Sequence, residues 1–111
     1  MNLLWKNSSL KENLESEKYL KSTYDSKVAR IVAMRLIQLE SSPTYADLPK
    51  STGKHSIKEG KKTIYFAVDV PEKGSKGRGK WRLIFEPSGQ FDLSNQKTIT
   101  EIIILGIIDY H

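Results

Sequence analysis

The chain has no cysteine, which removes structural disulfides and every cysteine-ligated metal centre from consideration. Histidine is nearly as scarce, and His55 and His111 alone make a poor zinc site. Long apolar runs are missing as well. The longest, Ile102 to Ile108, falls far short of the roughly 20 residues that a membrane-spanning helix needs. The opening segment, MNLLWKNSS, lacks the uninterrupted apolar stretch of a secretory leader. There are no repeats and no low-complexity tract. These absences set the expectation of a soluble cytoplasmic protein that uses no metal or cofactor.

What is present suits one folded domain. The chain has 111 residues, 38% hydrophobic and 28% charged, long enough to bury a core without metal or disulfide support. Its formal net charge is +5, and the excess is unevenly spread. Between Lys50 and Lys80 stand Lys50, Lys54, Lys58, Lys61, Lys62, Lys73, Lys76, Arg78 and Lys80, against only Glu59, Asp69 and Glu72. The N-terminal third is balanced by Glu12, Glu15, Glu17, Asp25 and Glu40. A basic middle of this kind suits a polyanionic or acidic partner.

Hydrophobic periodicity divides the chain. Ser9-x-x-Glu12 has capping-box spacing, and Leu10, Leu14 and Leu20 fall on one face, predicting a helical extension over residues 1–25. A core of 26–111 follows. It opens with a second helix, capped by Asp25 or Ser26, whose stripe is Val28, Ile31, Val32, Met34, Leu36 and Leu39. Residues 43–53, rich in Pro, Thr, Ser and Gly, read as a loop. The period then changes to two. KTIYFAVDV (62–70) turns Ile64, Phe66, Val68 and Val70 inward, and KWRLIFE (80–86) puts Trp81, Leu83 and Phe85 on one face. A last strand, from about Lys97, is apolar on both faces, as a central strand should be. The predicted architecture is α+β: two N-terminal helices packed on a mostly antiparallel, twisted β-sheet.

GSKGRGKW (74–81) satisfies the G-x-x-x-x-G-K pattern of a phosphate-cradling loop. It has Trp81 where the magnesium-binding hydroxyl belongs, and a strand follows instead of a helix. It reads as a basic hairpin loop. The remaining polar candidates are His55 and Lys58 before the first long strand, Arg82 within a strand, and Asp109, Tyr110 and His111 at the end. Together they offer an acid or base, fixed cations and a carboxylate, the set that metal-free phosphodiester chemistry needs. Period two sends Tyr110 to the face opposite Asp109 and His111 unless the strand bulges near Gly106. Lys54, Lys61, Lys62, Lys76, Arg78 and Lys80 are the candidate contacts to an RNA backbone.

HSIKEG at 55–60, WRLIF at 81–85 and DYH at 109–111, in that order, resemble the RelE/ParE toxin superfamily and most closely its HigB branch. The likeness spans about residues 26–111; Glu59 precedes Gly60 as an extra residue, and the 72–80 and 87–97 connections are long. The resemblance implies the toxin of a type II toxin–antitoxin pair. Such a toxin is a ribosome-dependent, metal-independent endoribonuclease that cuts mRNA and is silenced by a cognate antitoxin of helix-turn-helix type. It implies proton transfer by His55 and His111, with Asp109 orienting a histidine or acting as base. Lys58 and Arg82 would stabilise the charge at phosphorus, and Tyr110 would position the nucleotide. With His111 as general acid, His55 or Asp109 is left for the 2′-hydroxyl. Two alternatives stand beside this reading: a gyrase-poisoning ParE-like toxin of the same fold, and a non-catalytic RNA- or protein-binding module.

Overall fold

The computed structural model describes residues 1–75 and 79–109, with Thr63 and Ile64 as backbone only. Within these residues three α-helices and five strands form an α+β fold. The strands are β1 (Asn2–Trp5), β2 (His55–Glu59), β3 (Lys62–Val70), β4 (Trp81–Pro87) and β5 (Glu101–Asp109), in the spatial order β1-β5-β4-β3-β2. Three of the four pairings are antiparallel, and β1 runs parallel to β5. The sheet is therefore mixed but mostly antiparallel.

The helical third departs from expectation. One long N-terminal helix is replaced by β1 and two short helices, α1 (Ser8–Leu14) and α2 (Glu17–Thr23). The cap of α1 is Asn7, whose Oδ1 accepts the Leu10 N–H at 2.8 Å, so Ser9 lies inside the first turn and does not cap it. Ser16 interrupts the run by capping α2, its hydroxyl accepting the Tyr19 N–H. Helices of seven residues are marginal alone, and burial of Leu14 and Leu20 against the core holds them. Helix α3 (Ser26–Ser41) is capped by Asp25, whose Oδ1 takes the Val28 N–H at 2.7 Å. It buries Val28, Ala29, Ile31, Val32 and Leu39, while Met34, expected in the same stripe, is exposed.

The core lies against one side of the sheet, where Phe66, Val68, Val70, Leu83, Phe85, Ile102 and Ile104 meet the buried residues of the helices. The Ile64 side chain lies outside the description. The 43–53 segment is more than a loop. It folds into two 3-10 turns, Tyr45–Asp47 and Lys50–Thr52, and inserts Tyr45 and Leu48 into the core. The Tyr45 ring stacks on Phe66 at 4.2 Å between centroids, and burial pushes its hydroxyl up to a pKa of about 12. Met1 is also buried. Its ammonium donates to the carbonyls of Leu39 and Glu40, at 3.1 and 2.9 Å, and to that of Ser42, placing a cation on the carboxyl end of α3. No helix among the described residues is long and apolar enough to cross a membrane.

Candidate active site

Alternation along β3 and β4 gives the sheet a second, polar side. Asp69 is the cross-strand partner of Arg82, and Ala67 is the partner of both His55 on β2 and Ile84 on β4. Paired residues share a face, so His55, Asp69 and Arg82 all stand on the side away from Phe66, Val68 and Leu83. They are in contact there. His55 Nε2 lies 3.0 Å from Asp69 Oδ1, and Arg82 Nε lies 3.5 Å from the same oxygen. Side-chain exposures are 18% for His55, 19% for Arg82 and 7% for Asp69, so a buried carboxylate is flanked by two groups that reach solvent.

Asp69 is held from two further directions. Its main-chain carbonyl, beyond the end of β2, accepts the Nε–H of buried Arg35 at 2.8 Å. Burial lowers the Arg35 pKa, and the nearby Asp69 charge opposes that shift. Its carboxylate rests on Gly53, which ends the second 3-10 turn at φ +68. A Cβ on Gly53 would stand 2.0 Å from Asp69 Oδ2, so only glycine fits both the conformation and the space.

The other expected residues divide. Lys58 is exposed, three residues along β2 from His55, or about 10 Å at ordinary strand rise. A register shift separates it from Ile57. Asp109 is paired with Trp81, whose ring meets Tyr24 edge-to-face at 4.9 Å on the helical side. A bulge causes this placement. Phe85 pairs with Ile104 but Ile84 pairs with Gly106, so Leu105 is an extra residue and the alternation of β5 inverts beyond it. Gly106 adopts φ +146 there. Asp109 is thereby carried to the face opposite Asp69 and Arg82. Tyr110 and His111 lie outside the described residues.

Among the candidate RNA contacts, Lys61 and Lys62 are exposed at the β2–β3 turn, where Lys62 pairs with Glu59, while the exposed Lys58 pairs with Thr63 on the other face of the hairpin. Lys54 points inward instead. Its ammonium donates to the Tyr45 carbonyl at 3.3 Å and lies 4.8 Å from the Tyr45 ring centroid. Burial, and then the neighbouring Lys50 charge, lower its pKa, with Asp47 opposing them. Lys80 lies over the Trp81 ring at 4.7 Å. Lys76 and Arg78 fall outside the described residues. A groove of about 970 Å³, floored by Leu14, Leu20, Ala33 and Ile37, runs across the helices and takes in neither His55 nor Arg82. Among the described residues no group of three or more His, Asp or Glu is gathered to hold a metal ion.

Asp69 is the residue that sequence reasoning missed. Period two placed it on the face away from the core, but a strand-borne aspartate in a basic segment gives no local sign that two other strands and a turn close around it. The signal was the packing of Gly53 against the Asp69 side chain, which only the fold reveals. No protein family, no characterised protein and no solved structure matches this chain.

Proposed function

We propose that this chain is a RelE/ParE-like, HigB-type toxin: an endoribonuclease that cleaves mRNA on translating ribosomes in the cytoplasm and is held inactive by a cognate helix-turn-helix antitoxin. The observation that carries this reading is the fixing of the His55 imidazole and the Arg82 guanidinium on one carboxylate, both partly exposed on the sheet's polar face. These two residues come from two of the three motifs that resemble the family. An imidazole and a guanidinium side by side suit attack of an RNA 2′-hydroxyl on the adjacent phosphate. In that step the 2′-oxygen bonds to phosphorus as the bond from phosphorus to the 5′-oxygen breaks. A base takes the 2′ proton, and an acid supplies one to the leaving oxygen, giving a 2′,3′-cyclic phosphate and a 5′-hydroxyl. Arg82 and Lys58 stabilise the charge on phosphorus, His111 serves as acid and Tyr110 positions the nucleotide; of the two expected bases, His55 is the one that shares a face with Arg82.

Expression of the wild-type chain should arrest growth, and mRNA bound to translating ribosomes should be cut. His55→Ala and His111→Ala should each relieve both effects. A second reading, a non-catalytic RNA-binding module, is favoured by Lys58, Lys61 and Lys62, all exposed around the β2–β3 turn, where they can meet phosphates without any chemistry. Salt-sensitive RNA binding with intact mRNA would select that module over the nuclease.

A further inference from the structure

Among the described residues, the polar face carries one buried carboxylate that belongs to none of the motifs, Asp69. We propose that Asp69 is the positioning residue of the site, and that by engaging His55 at Nε2 it makes Nδ1 the nitrogen that accepts the 2′-hydroxyl proton. The proposal rests on the ribonuclease reading and decides what that reading leaves open, which nitrogen of His55 takes the proton and what fixes it.

The chemistry follows from the contact. A carboxylate only accepts hydrogen bonds, so at 3.0 Å from Asp69 Oδ1 the Nε2 atom of His55 must carry the hydrogen. A neutral imidazole protonated at Nε2 has its lone pair on Nδ1. Among the described residues Nδ1 has no hydrogen-bond partner. The geometry also explains why a third residue is needed. His55 is on β2 and Arg82 on β4, with β3 between them, so the two strands lie roughly 10 Å apart. Asp69 on the central strand spans that gap, and its single oxygen Oδ1 sets the distance between base and cation. Arg35 holds its main-chain carbonyl, and Gly53 lies against its other carboxylate oxygen and leaves no room on that side. Asp109, facing Trp81 across the sheet, is in no position by register to orient His55.

As the 2′-oxygen bonds to phosphorus, its proton passes to Nδ1, and the resulting imidazolium keeps its Nε2 hydrogen on Asp69. The carboxylate then offsets the new positive charge, while the departing 5′-oxygen takes its proton from the general acid.

The test compares wild type with Asp69→Asn in mRNA cleavage on translating ribosomes, together with melting temperature and the nitrogen spectrum of the His55 ring. Asp69→Asn preserves shape but offers an amide that no longer enforces one tautomer. The expected result is a fall in kcat of about 10²-fold or more, within the range that general acid–base catalysis supplies. KM and melting temperature should stay near wild type. In the wild-type spectrum Nε2 should be the protonated nitrogen. A folded Asp69→Asn variant that cleaves at the wild-type rate overturns the assignment. So does a wild-type ring protonated at Nδ1, which decides the matter even if the variant fails to fold. Absence of cleavage by the wild type is a different result, and overturns the ribonuclease reading itself.

Discussion

The two sides of the sheet are made by the same strands and behave as different materials. Toward the helices, β3 and β4 present Phe66, Val68, Val70, Leu83 and Phe85, all buried and all hydrocarbon. One residue out of phase, the same strands present Ala67, Asp69, Arg82 and Ile84, with two charges among them. On the first side, what matters is volume and fit, and no single atom is essential. On the second, what matters is direction: which nitrogen meets which oxygen. A substitution on one side should therefore register as stability and on the other as turnover, with few positions registering as both.

The largest expected effect tests the first side. Phe85 is fully buried and its ring lies 6.1 Å from those of Tyr45 and Phe66. Phe85→Ala should lower unfolding free energy by about 3–5 kcal/mol, read from denaturant titration, while the protein that remains folded keeps its turnover. Arg82→Lys tests the second. It keeps the charge but loses the planar fork, and should reduce turnover by roughly 10²–10³ with little change in melting temperature. If folding fails instead, Arg82 belongs to the first side after all. Gly53→Ala should break the separation. The new methyl collides with Asp69 and the left-handed backbone is strained, so stability should drop by about 1–3 kcal/mol and turnover should fall with it. Normal activity in that variant would mean that the Asp69 carboxylate can move without consequence.

The smallest effect concerns pH. The Tyr45 hydroxyl is raised by burial to about 12, so the folded state holds its proton more tightly than an unfolded chain titrating near 10. Its contribution is complete below about pH 10 and is lost as pH climbs towards 12, because ionisation then favours unfolding. Melting temperature should fall across that window in wild type and fall less in Tyr45→Phe. The proposed cleavage site, on the other side of the sheet, should not distinguish the two proteins.

How much of this could be read from sequence follows the range of the forces involved. Strands β3 and β4 and helix α3 were legible because each carries its own period, and the partition of Phe66 and Val68 from Ala67 and Asp69 came with it. Strand β2 was not, since HSIKE holds one apolar residue and is a strand by virtue of its hydrogen bonds to β3. Strand β1 was hidden for the same reason, its partner lying at the far end of the chain. Tyr45 and Leu48 looked like loop residues because turn-forming neighbours surround them. In the site, His55 and Arg82 were legible as residue types within motifs. The inversion of Asp109 was not, because one extra residue in β5 changes a face without changing the local pattern.

The pairing of β1 with β5 has a consequence in time. Asn2 through Trp5 lie in register with Glu101 through Ile104, and the Asn2 side chain bonds that of Glu101 across 99 positions. Among the described residues, β1 is the strand that occupies that edge of β5. During synthesis Leu3 and Trp5 must therefore wait, without their strand partner, until residues 101–104 have left the ribosome. The strands bearing His55, Asp69 and Arg82 are close in sequence and can meet earlier, at lower loop-closure cost. The order of assembly should thus place the polar cluster first and the seam between the two ends of the chain last.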